Sequence, residues 1–420
     1  MVHVKTMPNG MRIAGERIPH FRSAALGVWV GVGSIHEGER EHGLSHLIEH
    51  MVFKGTKKRS ARELASVMDA VGGHLNAYTT KECTCFHVRV VDEHIPLAVD
   101  VLSDLTCGAL FTEEALEMEK NVVLEEISMV EDTPEDLVGE LLSEAWYGGH
   151  NLGKPILGRA DEIRSYTRQD VLNYFEKHYR PGNFVFSMAG NYDELRMEEL
   201  LNTHFGADGH QHIPYQPAPF EHTGPRKALV RKKDIEQLHI SVAFRGYARM
   251  DDNLFPMLVL NNILGGGMSS RLFQRIREER GLVYSVYTYP ASYVGSGMFA
   301  IYAGLNPANI EVVMQIIREE LDSLRHGDIT EEEFVRAREQ LKGGYVLGLD
   351  GISSRMADMG KSTLLNNAIR TEEEVLAKVN AVTIGDVTRV AQYIFDGDHI
   401  AASAVGKMPG RKNLEKILLG

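Results

Sequence analysis

Two histidines and a glutamate stand close together in one apolar segment, His46-Leu47-Ile48-Glu49-His50. Leu44, Leu47, Ile48, Met51 and Val52 recur at helical spacing, which predicts a helix with His46 and His50 on one face. Imidazoles on successive turns can reach one ion, and Zn2+ readily takes such nitrogens. Glu49 lies one residue before the second histidine, close enough to act as a base on water held there. Histidines that merely hydrogen-bond near a helix surface would give the same five letters. A catalytic zinc site needs a third protein ligand, so the rest of the chain must supply one.

The segment after Thr112 offers candidates. Thr112 is placed to cap a helix, and Glu113 and Glu114 suit its positive end. Along that helix Ala115, Glu119, Val122, Glu126 and Met129 form one stripe, so two carboxylates interrupt an otherwise apolar face. A carboxylate turned to a core needs a partner. A metal cation is one answer and a salt bridge to Lys or Arg is the other.

The elements that must position these groups are written twice. LFTEEALEMEKNVVLEEI, from Leu110, has a counterpart in DITEEEFVRAREQLKGGY, from Asp328, at an offset of 218. YTRQDVLNYFEKHYRPGNFVFSMAGN pairs with VTIGDVTRVAQYIFDGDHIAASAVGK at 216. The strand-like ALGVWVGVGS resembles HISVAFRGYA at about 214. With 420 residues, two domains are the natural expectation. The reading is an α+β fold of two homologous α/β-sandwich halves, 1–208 and 226–420. The Pro-rich segment 209–225 would join them as an extended linker.

Composition narrows the partners. A net charge of −13 argues against nucleic acid and favours basic ligands or peptides. No apolar run reaches the length of a membrane span. MVHVKTMPNGMRI opens as a strand with an Asn9-Gly10 turn rather than as a targeting leader. Cys83, Cys85 and Cys107 cannot all pair, which suits a reducing compartment and gives a cytoplasmic expectation. Cys83 and Cys85 are expected as small buried residues rather than a metal pair. His210 and His212 are expected to be solvated in the linker. GGGMSS at 265–270 lacks phosphate-loop spacing and reads as a turn.

Taken with HLIEHMVFKGT, GGHLNAYTTKE, LGGGMSSRLFQRIREERGLVYSV and the two-copy layout, the chain resembles the pitrilysin and mitochondrial processing peptidase family. These are inverted-motif zinc peptidases with the signature H-x-x-E-H, and the likeness is to their short bacterial branch. The resemblance implies His46 and His50 as zinc ligands and Glu49 as general base. It also implies, as third ligand, the glutamate 76 residues beyond the second histidine, which is Glu126. Glu119 would support the site by orienting a ligand, with direct ligation the alternative.

The second copy has lost this set. The repeat offset puts LNNILGGGMSS on the HLIEH helix, and Ala337 and Gly344 on Glu119 and Glu126. One zinc per chain follows. Arg277 and Tyr284 match a family pair that holds the substrate backbone and stabilises the oxyanion. A surface arginine and a packed strand tyrosine are the plain alternative. The resemblance further implies that Asn76 and Ala77 lie on an edge strand to which substrate adds as an extra strand; an ordinary hairpin fits those residues equally. Each chain would form half of a clamshell, so a homodimer is implied. The expected activity is zinc-dependent hydrolysis of unfolded or short peptides in a closed chamber. The alternative is a non-catalytic peptide-binding or assembly subunit of a processing-peptidase-like complex.

Overall fold

A computed structural model describes residues 2–206, 220, 227–407 and 411–420. The segment 209–225, with His210 and His212, therefore lies outside the described residues except for Phe220. The chain carries two mixed sheets. The first holds β1 (Val2–Thr6), β2 (Arg12–Arg17), β3 (Ser23–Val30), β4 (His74–Thr79), β5 (Thr84–Val91) and β6 (Phe184–Gly190), in the order β1-β2-β6-β3-β5-β4. The second holds β7 (Lys227–Lys232), β8 (Leu238–Arg245), β9 (Val283–Ser292), β10 (Gly297–Leu305) and β11 (Ala401–Gly406), in the order β7-β11-β8-β10-β9.

The repeat read from the sequence is visible in this order. β2, β6, β3, β5 and β4 recur as β7, β11, β8, β10 and β9, and β1 is the addition in the first sheet. In both sheets one pair is parallel, β2 with β6 and β7 with β11, and the remaining pairs are antiparallel.

The first helices are α1 (Leu44–Met51), α2 (Ala61–Val67), α3 (Ile95–Gly108), α4 (Glu113–Asp132), α5 (Pro134–Tyr147), α6 (Ala160–Ser165), α7 (Arg168–His178) and α8 (Glu194–Phe205). Beyond β8 come α9 (Leu254–Leu264), α10 (Ile310–His326), α11 (Glu331–Gly348), α12 (Ile352–Asn366), α13 (Glu372–Ala381), α14 (Ile384–Ile394) and α15 (Arg411–Leu419). Thr167 and Thr383 cap α7 and α14 in the same way, each side chain accepting from the backbone N–H three residues on and each backbone N–H donating to the Asp carboxylate there. The matched offset of these two helices thus reaches down to their caps.

The compact units are not the contiguous halves. One comprises Met1–Ser128, Lys154–Gln216 and Gly348–Ile369, and the other Met129–Gly153, Pro217–Leu347 and Arg370–Gly420. Each unit borrows one helix across the repeat. In the first, α12 packs on β3 and β6. Trp29 is fully buried there and donates Nε1–H to Ser187 Oγ at 2.8 Å. The indole is so close to α12 that a Cβ at Gly360 would collide with it. Both ends of α12 are tied to β2. Arg355 pairs with Glu16 at 3.2 Å, and Arg12 Nη1 donates to the Thr363 carbonyl at 2.6 Å. That carbonyl lies in the last turn of α12, where a cation is favoured.

In the second unit α5 covers β8 and β11. Leu137, Val138 and Leu141 pack with Tyr302 and Val405, and Ser403 Oγ donates to the Val138 carbonyl at 2.7 Å. The physical need is plain in β3, where SAALGVWV is buried on both faces over nearly its whole length. Such a strand needs cover on two sides. α3 covers one side of β3 and α12 the other.

Candidate active site

α1 turns Leu44, Leu47, Ile48 and Met51 into the core, each 1% exposed or less. This fixes its rotation, so His46 and His50 share the opposite side with ring centroids 4.6 Å apart. α4 comes alongside. Thr112 Oγ accepts from the Ala115 N–H at 3.3 Å, as a capping residue should. The buried stripe of α4 departs from the expected one. Ala115, Leu116, Glu119, Lys120 and Val123 are buried, whereas Val122 and Met129 are 43% and 67% exposed. Beyond Val123 the partly buried Leu124 and Ile127 still pack on the core, so the buried face of α4 turns away from Val122 and Met129.

Glu126 lies beyond that point, half-exposed, and its Oε2 is 3.5 Å from His46 Nε2 and 3.5 Å from His50 Nε2. One atom from each of His46, His50 and Glu126 falls within 4.8 Å of the other two. Among the described residues this is the one such group of three or more His, Cys, Asp or Glu side chains. Zinc bound tetrahedrally at about 2.0–2.1 Å spaces its ligand atoms by about 3.4 Å. The histidine-to-glutamate separations are of that size, so the residues fit the ion. Burial, with the charge of His50 adding, pushes the His46 pKa down to about 3. Its imidazole is therefore neutral at physiological pH, the form that ligates.

Glu119 plays a different part. It is 4% exposed, and its Oε2 lies 3.2 Å from His50 Nδ1, on the side of the ring away from Glu126. Its other oxygen pairs with Lys54 Nζ at 2.7 Å. An acceptor at Nδ1 selects the tautomer that leaves Nε2 free to ligate. Of the two alternatives raised for the α4 carboxylates, Glu119 takes the lysine salt bridge, while Glu126 meets the two histidines. Glu119→Gln is expected to weaken zinc binding ten- to hundredfold without abolishing it. Titration against a competing chelator measures this.

Glu49, on α1, reaches β4 with its side chain. Thr79 Oγ donates to its Oε2 at 2.6 Å. Burial raises its pKa above the ordinary glutamate value; the Thr79 hydrogen bond and His50 oppose the rise, and the Glu126 charge adds to it.

β4 is an edge strand, paired with β5 alone, with Asn76 opposite His87 and Ala77 opposite Phe86. Asn76 is exposed, and its Oδ1 accepts from the Ala77 N–H at 2.8 Å. Arg277 and Tyr284 belong to the other compact unit. Arg277 lies in the π-helical turn Phe273–Glu278 with its guanidinium 4.7 Å from the Phe273 ring centre. Tyr284, near the start of the edge strand β9, is 74% exposed, so the plain alternative of a packed strand tyrosine does not hold. Cys83 and Cys85 are buried and Cys107 is exposed, none of them in a disulfide.

Lys54 and Thr79 were not singled out from the sequence. Lys54 stands four residues after His50, a spacing that could have placed it on the ligand face. Thr79 carried no such signal, because it meets Glu49 only through the pairing of β4 with the sheet.

Comparison with known proteins gives the family of the chain. Residues 12–160 match the family described as insulinase (peptidase family M16), and residues 165–341 match the peptidase M16 inactive domain. The chain is 41% identical to YmxG of Bacillus subtilis, an uncharacterized zinc protease, over 97% of this chain and all of the relative. A zinc protease of Streptomyces coelicolor is 39% identical over 97% of this chain and 90% of its own. Among solved structures, a protease from Helicobacter pylori superposes with a TM-score of 0.90 at 20% identity, over 97% of this chain and 99% of that one. The chain belongs to the M16 peptidase family, and its fold is the two-domain α+β fold of that family. Among the described residues, no helix is long and apolar enough to cross a membrane.

Proposed function

We propose that the protein is a zinc-dependent endopeptidase that cleaves unfolded or short peptides. The observation that carries this reading is the convergence of His46 Nε2, His50 Nε2 and Glu126 Oε2 on one point, with Glu49 on the same short helix. The zinc protease names of relatives that match over nearly the whole chain support it.

Bound there, one Zn2+ per chain would supply Lewis acidity, polarising the scissile carbonyl and acidifying water. Glu49 takes the proton of the attacking water and delivers it to the leaving amine nitrogen. Its partial burial favours proton uptake, and the Thr79 hydroxyl holds the carboxylate in place. Glu119 and Lys54 keep His50 in its ligating tautomer. Arg277 and Tyr284 bind the substrate backbone and stabilise the oxyanion, as the family resemblance implies. The free side of β4, at Asn76 and Ala77, accepts the peptide as an added strand, which reads few side chains and so gives broad specificity. The net charge of −13 favours basic peptides. The working form is a cytoplasmic homodimer that encloses its substrate.

Purified protein supplied with zinc should cleave members of a mixed peptide library. A chelator should abolish the cleavage and added zinc should restore it. Zinc uptake without cleavage of any peptide would instead favour a peptide-binding subunit.

A further inference from the structure

The helix that carries His46, Glu49 and His50 begins without a cap of its own. Its N-cap is Gly43, in the left-handed region at φ 90° and ψ −4°, with no side-chain cap. A Cβ at Gly43 would lie 2.7 Å from the Leu157 carbonyl oxygen and 2.9 Å from Gly158 Cα. The Ser, Thr, Asp or Asn that ordinarily closes a helix start is thereby excluded.

The acceptor comes instead from upstream. Glu37 Oε2 accepts from the Gly43 N–H and Glu37 Oε1 from the Ser45 N–H, both at 2.9 Å. Glu37 is 1% exposed, so its carboxylate is committed to an interior position at the positive end of α1. The neighbouring chain is held from other sides. Ser45 Oγ meets Tyr174 Oη at 2.8 Å, and the Tyr166 hydroxyl donates to the His42 carbonyl at 2.7 Å.

Resting on the zinc site proposed above, we infer that Glu37 is a positioning residue for that site. By holding the N–H groups of Gly43 and Ser45 at the start of α1 it fixes the rotation and tilt that aim His46 and His50 at one point. His46 follows directly on Ser45, so slack at the cap passes straight to a ligand. A 20° rotation of α1, for illustration roughly that, would swing an imidazole nitrogen about 6 Å off the axis by about 2 Å. That is the length of a zinc–nitrogen bond. Glu37 touches neither metal nor substrate; it acts through the backbone of the helix.

The test uses the full chain as wild type, Glu37→Gln and Glu37→Asp. Glutamine has the same size but only one acceptor oxygen for two N–H groups, and aspartate keeps both oxygens but falls one methylene short. Zinc affinity is measured by chelator competition, alongside kcat, KM and the melting temperature of the zinc-free protein. Both variants should bind zinc at least about tenfold more weakly. They should lose kcat more than KM at limiting zinc and recover kcat as zinc is raised, while the zinc-free chain melts close to wild type. Unchanged zinc affinity in a folded variant, or two variants that fail to fold, would overturn the inference and leave Glu37 a purely structural residue. A wild type that binds no zinc would sink the zinc-site reading itself, which separates the two failures.

Discussion

Glu49→Gln is expected to lower peptide turnover by about three orders of magnitude while leaving zinc bound, within the range that removal of a general base produces. Glutamine matches glutamate in shape and can still accept the Thr79 hydroxyl hydrogen bond. What it loses is basicity, the one property the reaction needs at this position. Zinc should stay because Glu49 is not among the three side chains whose atoms converge. kcat and zinc content measured on the same preparation give both halves of the result. A variant that keeps activity within tenfold of wild type would mean that another group takes the proton.

Glu126→Gln should have the opposite signature, with zinc and activity lost together. The two imidazoles of His46 and His50 carry no charge when they ligate, so Glu126 supplies the only anion among the three converging groups. Removing it leaves a dication held by neutral donors. The loss of affinity should exceed the ten- to hundredfold expected for an outer partner such as Glu119. Added zinc should restore little of the activity. Full zinc retention and activity would show that Glu126 is not a ligand, and Glu119 would then be the carboxylate to test. The position of Glu119 against His50 Nδ1 and Lys54 Nζ makes that outcome disagree with the geometry.

The parts of this site that are periodic or collinear were legible in the sequence. His46 and His50 share a helix face because Leu44, Leu47, Ile48 and Met51 bury the other one. The duplication could be read because helices such as α7 and α14 kept their caps as well as their apolar faces. Contacts made by tertiary packing could not be read. Glu37 reaches α1 only because the chain folds back over Gly43, and Thr79 reaches Glu49 only through the edge strand β4. The buried face of α4 runs through Glu119, Lys120, Val123, Leu124 and Ile127 rather than Val122 and Met129, because period alone does not say which of two neighbouring stripes meets the core. The exchange of α5 and α12 was hidden for a related reason. Two-sided burial of β3 demands a second cover, but nothing local names the helix that supplies it.

Anomalous diffraction from crystals of the zinc-loaded protein, recorded on both sides of the zinc absorption edge, tests the account most directly. It predicts a strong peak within bonding distance of His46 Nε2, His50 Nε2 and a Glu126 carboxylate oxygen, with Glu119 outside that distance. A peak bonded to other residues, or no peak from protein that has taken up zinc, would contradict it.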